Sequence, residues 1–271
     1  HSSFGSLALP FSKTHPALAR ALAERDYSEA TDVQAAVLAE ETIGRDLLVS
    51  AQTGSGKTVA FGLAIAEDLI GAAERLGPAG APLALVVAPT RELALQVERE
   101  LTWLWEQTGA RVTACVGGMD PRAERRRLDA GAHIVVGTPG RLRDHLERGG
   151  LRLEALRAVV LDEADEMLDM GFRDDLEFLL DATPVDRRTL MFSATLPKGI
   201  VQLAQNYQRD ARRIAVAGAT RGHADIEHRA IRVAPKEIEP AVVNLLRFHD
   251  APASIVFANT REAVRHLQAT L

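Results

Sequence analysis

The stretch Asp46-Leu47-Leu48-Val49-Ser50-Ala51-Gln52-Thr53-Gly54-Ser55-Gly56-Lys57-Thr58 decides the fold. Its first five residues form a short apolar run of the kind that makes a strand buried on both faces. A turn carrying two glycines follows, and from Lys57 the spacing becomes helical. Strand, glycine loop and helix in this order are the setting of the phosphate-binding pattern G-x-x-x-x-G-K-[ST], here with Ala51 in place of the first glycine. Glycines let backbone N–H groups close on phosphate oxygens, and the start of the helix adds positive potential. Ala51, Gln52, Thr53, Gly54, Ser55, Gly56, Lys57 and Thr58 are therefore the expected nucleotide cradle. Lys57 is placed to reach the β- and γ-phosphates, and the Thr58 hydroxyl to ligate Mg²⁺.

A phosphate loop of this type needs a carboxylate at the end of a second strand to hold the metal. Val159-Val160-Leu161-Asp162-Glu163-Ala164-Asp165 supplies one, an apolar run that ends in acids. Asp162 is expected to hold Mg²⁺, partly through water, and Glu163 to orient or deprotonate an attacking water. Further apolar runs lie at residues 83–88, 112–116, 133–136, 158–161 and 189–192. Helical spacing separates them, as at 57–70, 91–105 and 139–147. Alternation of this kind predicts βαβ units and an α/β, doubly wound, mostly parallel sheet. Right-handed crossovers then bring the carboxyl ends of the strands to one edge, where such sheets bind their ligands.

Several short motifs stand between these landmarks and, taken together, carry a family resemblance. Asp162-Glu163-Ala164-Asp165 follows the phosphate loop, and the chain resembles the N-terminal core of a DEAD-box ATP-dependent RNA helicase. Tyr27-Ser28-Glu29-Ala30-Thr31-Asp32-Val33-Gln34 resembles the Q motif, and Pro89-Thr90-Arg91-Glu92-Leu93-Ala94 resembles motif Ia. Gly117-Gly118 resembles the paired-glycine motif, Thr138-Pro139-Gly140-Arg141 motif Ib, and Ser193-Ala194-Thr195 motif III. Ile255-Val256-Phe257 with Asn259-Thr260-Arg261 resembles motif IV, the first of a second domain. The resemblance implies a RecA-like P-loop NTPase domain that uses ATP and Mg²⁺ and acts on RNA. Gln34 and Tyr27 would face the adenine, and a Gln amide suits its N6/N7 edge. Pro89, Thr90, Arg91, Gly117, Gly118, Thr138, Pro139, Gly140 and Arg141 would hold RNA by its sugar–phosphate backbone, largely without regard to sequence. Ser193 and Thr195 would bond Asp165 and couple the state of the ATP to RNA separation. The usual Q motif has Gly and Pro where Asp26 and Ala30 stand here, and its upstream aromatic falls at Leu9, with Phe11 nearby.

Composition sets outer bounds. The chain has 271 residues, 46% of them hydrophobic and 25% charged, with a net charge of −5, the balance of a water-soluble globular protein. No apolar run approaches a bilayer span, and no secretory leader is visible. Cys115 is the single cysteine, which favours a reducing, cytoplasmic setting and gives that thiol a structural reading. The eight His show no metal spacing, and Arg125-Arg126-Arg127 reads as a solvated face of a mixed-charge helix. Trp103 and Trp105 cannot share a helix face, so one is expected in the core.

Residues 1–217 are expected to form one RecA-like domain, 218–226 a linker, and 227–271 the start of an incomplete second RecA-like domain. That second part is expected to hold strands at 228–233 and 254–258 and helices at 236–248 and 261–271. The arginine-rich motif that completes the ATP site in the family is not reached by Leu271. The expectation is thus nucleotide and RNA binding without efficient turnover. Two other readings remain open at this stage, an ATP-gated RNA clamp and a P-loop ATPase acting on DNA.

Overall fold

The computed structural model describes residue 11, residues 14–216 and residues 229–270. The chain divides into two units, His1–Gly218 and Ala219–Leu271. The first is built on seven strands: β1 (Leu47–Ser50), β2 (Ala84–Val87), β3 (Val112–Cys115), β4 (Ile134–Gly137), β5 (Ala158–Leu161), β6 (Arg188–Ser193) and β7 (Arg212–Ala215). They pair in the order β3-β4-β2-β5-β6-β1-β7, and every pairing is parallel.

The central strands are apolar throughout because both faces of the sheet are covered. Alternate side chains point to opposite faces, so each strand feeds two cores. Leu47, Val49, Ala84, Val86, Val160 and Phe192 join one. Helices α1 (Pro16–Ala23), α2 (Asp32–Val37), α3 (Lys57–Ala64), α4 (Ala66–Leu69) and α5 (Arg91–Leu104) close over it. Leu48, Leu85, Val87, Val159, Leu161 and Met191 join the other. There α6 (Pro121–Asp129), α7 (Pro139–Glu147), α8 (Ala164–Asp169), α9 (Arg173–Asp181) and α10 (Lys198–Tyr207) form the cover. This is the doubly wound, parallel sheet that the alternating runs predict, in the RecA-like form that the resemblance implies. Trp105 is fully buried and Trp103 only partly, as the helical spacing requires.

Local differences from the sequence pattern have physical causes. The first strand starts at Leu47, not Asp46, because the buried Asp46 carboxylate accepts the N–H groups of Thr189 (2.8 Å) and Arg209 (2.6 Å). The helix expected over 57–70 is interrupted at Ile65, whose ψ of −1° leaves α3 and α4 as separate pieces. Strand β7 is a short edge strand that pairs with β1 alone; it opens on two exposed arginines, and only Ile214 of the strand packs against the core.

In the second unit, α11 (Ile238–His249) and α12 (Arg261–Thr270) form where helices are expected. The expected strands do not: residues 229–233 and 254–258 carry no ladder. A strand lasts only when its N–H and C=O groups find a partner, and here Ile255 and Phe257 stand 81% and 91% exposed. Position 228 and the proposed linker lie outside the described residues. Among the described residues, no helix is long and apolar enough to cross a membrane.

Helix α3 packs tightly against α5 at Gly62. A Cβ there would meet Leu104 Cδ2 at 2.7 Å and Leu101 Cδ2 at 2.9 Å on α5. Gly62→Val is expected to lower the unfolding free energy by about 1–3 kcal/mol, the usual cost of overpacking a core. Urea denaturation measures it; an unchanged midpoint would show that α3 and α5 do not touch there.

Candidate active site

Strands β5, β6 and β1 are neighbours, so the loops leaving their carboxyl ends meet. The phosphate loop follows β1, and its Ala51 N–H donates to Ser193 O at the end of β6 (3.0 Å). Gly56 has φ +85°, a left-handed conformation suited to glycine, and a Cβ there would lie 2.7 Å from Gln34 Nε2. Lys57, only 6% exposed, points its Nζ toward the end of β5. It stands 3.5 Å from Glu163 Oε1 and 3.9 Å from Asp162 Oδ1. Both distances are long for charged hydrogen bonds, which leaves the ammonium with donors to spare. The Thr53 hydroxyl donates to the same Glu163 oxygen (3.0 Å).

Two features mark this cluster as built for something beyond itself. Asp162 is buried, and its Oδ1 has no hydrogen-bond donor; Ser55 Oγ in the loop is likewise buried and unpartnered. Glu163 sits at φ 52°, ψ 53°, a left-handed conformation that costs a residue with a side chain roughly 1–3 kcal/mol. Burial pushes the Asp162 carboxyl up to about 6, against the opposing pull of Lys57 and with the help of the Glu163 charge. A hard divalent cation and phosphate oxygens fit this donor set. Asp162 and Thr58 offer oxygens, and Lys57 with the loop N–H groups offers positive charge.

The other expected nucleotide contacts are arranged differently. Gln34 is buried in a capping box at the start of α2. Its Oε1 accepts from Thr31 N (3.0 Å), and its Nε2 donates to Gly56 O (3.3 Å). Its amide therefore braces the phosphate loop, and the adenine-reading role is not displayed in this arrangement. The Tyr27 ring is 5.7 Å from that of Trp103, with the Arg25 guanidinium 4.6 Å over the same Trp. The upstream aromatic position, Leu9, lies outside the described residues. Phe11 is buried in the core.

Motif III gathers on Asp165, as expected. Thr195 donates to Asp165 Oδ2 through both its N–H (2.9 Å) and its hydroxyl (2.8 Å). Burial raises the Asp165 carboxyl, but the bonds from the Thr195 hydroxyl, the Ser193 hydroxyl and the Thr195 N–H outweigh it and hold the group below its ordinary value. The Ser193 hydroxyl, sealed at the end of β6, donates to Thr195 O (2.6 Å) and also helps to hold the Asp165 carboxyl down. Neither hydroxyl caps α10, whose first turn begins after Pro197 without a side-chain cap.

The expected RNA residues gather on the other half of the same edge, after β3, β4 and β2. Thr90 caps α5 by accepting from Leu93 N (3.2 Å), and Arg91 is exposed, its Nη1 2.8 Å from where a Cβ on Gly118 would sit. Gly117, Gly118 and Gly140 are exposed, Pro89 and Pro139 are buried, and Thr138 opens α7 without spending its hydroxyl on the cap. Arg141 departs from its expected role. Its side chain is 12% exposed and donates to Glu124 Oε2 (3.1 Å) and Met119 O (3.2 Å), so its charge is held inside the protein. A cavity of about 550 Å³ beside α1 and α2, lined by His15, Arg20 and Glu67 among others, includes none of these loop residues.

The sequence profile of the DEAD/DEAH box helicases matches residues 31–203, from the capping box at Gln34 to α10. The chain belongs to this family. DEAD-box ATP-dependent RNA helicase CshA of Bacillus licheniformis is 36% identical over 255 residues, 94% of this chain and 51% of that protein. ATP-dependent RNA helicase DbpA of Bacillus subtilis is 38% identical over 248 residues, 92% of this chain and 50% of that one. A DEAD box protein crystal structure from Methanococcus jannaschii superposes with a TM-score of 0.68 at 32% identity, covering 98% of this chain and 69% of the other. The chain spans about half the length of the curated relatives it matches.

One part of this DEAD/DEAH box chain is invisible to motif reading. Glu124, immediately before the arginine run, is fully buried, and Cys115, Glu124 and His145 bring their ligand-type atoms within 4.8 Å of one another. These residues come from β3, α6 and α7, so no spacing along the chain announces them. Arg125 and Arg126 do face solvent, Arg125 pairing with Asp129 (3.0 Å).

The raised Asp162 carboxyl gives the DEAD/DEAH box fold a pH signature. Its ordinary value is 3.8 and its folded value about 6, so the folded chain holds this proton more tightly. The stability linked to it is fully present below the unfolded value and is lost as pH rises through the folded one. Asp162→Asn is expected to remove that downward slope, between about pH 4 and 6, from the ligand-free melting profile. A slope that survives the substitution would assign it to another group.

Proposed function

We propose that this chain is the nucleotide-binding part of an ATP-dependent RNA helicase. In this reading ATP binding and hydrolysis drive local RNA duplex separation or remodelling of RNA–protein assemblies. Residues 1–217 would be its RecA-like ATP-binding domain, 218–226 a linker, and 227–271 the beginning of a second domain. A cytoplasmic setting belongs to the same reading, supported by a single buried thiol with no partner cysteine.

The observation that carries the proposal is the meeting of Lys57, Asp162 and Glu163 across β6. Lys57 and the loop N–H groups would take the β- and γ-phosphates; Thr58 and Asp162 would hold Mg²⁺, which neutralises charge developing on the phosphoryl oxygens. Glu163, held by Thr53 and Lys57, would orient the attacking water and receive its proton. Thr195, bonded to Asp165 three residues beyond Asp162, would pass the state of the nucleotide toward motif III. The RNA half of the edge offers N–H groups, hydroxyls and Arg91, equipment for backbone contacts that do not read bases.

The two acid–lysine partners separate binding from chemistry. Lys57→Ala is expected to weaken Mg²⁺-dependent binding of a fluorescent ATP analogue by roughly 10²-fold or more, since it removes the phosphate-facing charge. Glu163→Gln should leave that affinity within about threefold, because an amide keeps the side chain's hydrogen bonds. Equal losses in both variants, with folding verified by circular dichroism, would contradict the division of roles. Tighter binding of a fluorescent single-stranded RNA than of single-stranded DNA of the same sequence is expected and tests the RNA assignment; preference for DNA would overturn it.

A further inference from the structure

We propose that Glu124 is a positioning residue for RNA binding, a buried clamp that fixes the 117–119 loop and the 138–141 loop as one rigid surface. The inference rests on the RNA reading of those loops given above. Glu124 lies on α6 with no exposed surface, and both of its oxygens are engaged. Oε1 accepts the N–H of Val116, the residue that enters the paired-glycine loop (2.9 Å). Oε2 accepts from Arg141 Nη1 (3.1 Å) and lies 2.7 Å from His145 Nε2, both on α7. Arg141 Nη2 then donates to Met119 O (3.2 Å), where the same loop ends. One carboxylate thus ties the beginning of the first loop to the helix that carries the second, and Arg141 returns the link to the first loop's end.

The energetic logic favours a specific clamp over ordinary packing. A buried carboxylate is tolerated only when its oxygens are bonded, and its three interactions here converge on the first loop and α7. A glycine pair has little stiffness of its own, so the 117–118 backbone depends on anchors at its flanks. Arg141 is accordingly a strut for the surface, and Arg91 beside Gly118 is the guanidinium left facing outward. A metal ion at Cys115, Glu124 and His145 would have to displace these bonds. It would also have to ionise a thiol that burial pushes up to about 12. The cluster is therefore complete as protein alone.

Three measurements on this chain test the clamp. First, Glu124→Ala is expected to weaken binding of a fluorescent oligo(U) RNA by roughly tenfold or more at fixed salt, the size of loss seen when groups supporting a binding site are removed. Affinity for a fluorescent ATP analogue should stay within about twofold, since the nucleotide loops lie on other strands. Glu124→Gln, which keeps an acceptor, should fall between the two. If Glu124→Ala does not fold, Glu124→Gln, Arg141→Lys and their combination carry the test, with non-additive losses expected because the pair acts as a unit. Second, hydrogen exchange of the amides at 116–119 and 138–142 should accelerate together in the Glu124 variant. Independent behaviour of the two loops, or RNA affinity unchanged in a folded Glu124→Ala chain, overturns the proposal. Third, Arg91→Ala separates the two levels. If it leaves RNA binding intact, the RNA surface is misplaced, while the exchange result still decides whether Glu124 clamps the loops.

Discussion

Parallel pairing of all seven strands sends every loop that leaves a carboxyl end to the same edge of the sheet, and the spatial order of the strands divides that edge in two. On one half, β5, β6 and β1 present the acids, motif III and the phosphate loop. On the other, β3, β4 and β2 present the glycine pair and the motif Ib and Ia loops. Neighbouring strands are about 4.8 Å apart, so Lys57 spans two strand spacings to reach Asp162 and Glu163. The halves join where β5 lies beside β2, at the Asp162 N–H to Val87 O bond (2.9 Å). Under the proposed function this seam, made of ordinary sheet backbone, would link the phosphate site to the RNA surface.

Charge is treated in opposite ways on the two halves. Around the phosphate loop it is left incompletely satisfied. Asp162 Oδ1 has no donor, the Lys57 contacts are long, and Glu163 is held in a left-handed conformation. Such an arrangement costs stability in the free protein and gives a cation and phosphates something to complete. Around Glu124 the opposite holds, since every oxygen is bonded and the guanidinium of Arg141 is consumed. One cluster is poised for a ligand and the other is a brace. A net charge of −5 says nothing about either, because both act within a few ångströms.

Much of this was legible along the chain, for reasons that are local. Strands covered on both faces must be apolar throughout, so β1 to β6 appear as short Val/Leu runs. The phosphate loop appears because its glycines, lysine and threonine are consecutive. Strand β7 was hidden because two of its four residues are exposed arginines, which break the apolar run that marks the buried strands. The apolar runs at 228–233 and 254–258 suggested strands, yet pattern alone cannot supply the pairing neighbour that a strand requires. Arg141 looked like an RNA contact because it follows a strand; its partner Glu124 lies 17 residues away inside what reads as a solvated charge run. The bonds of Gln34 to the capping box and to Gly56 O are likewise invisible along the chain. Buried polar pairings formed across elements are what the one-dimensional pattern does not display.

The divided edge is tested most directly by hydrogen–deuterium exchange on this chain with each ligand added separately. Mg²⁺ and a non-hydrolysable ATP analogue are expected to protect the amides of 51–58 and 162–165, leaving 116–119 and 138–142 unchanged. Single-stranded RNA is expected to protect 90–91, 116–119 and 138–142, leaving the phosphate loop unchanged. Protection of the phosphate loop by RNA alone, or of the glycine-pair loop by nucleotide alone, would contradict the separation of the two surfaces.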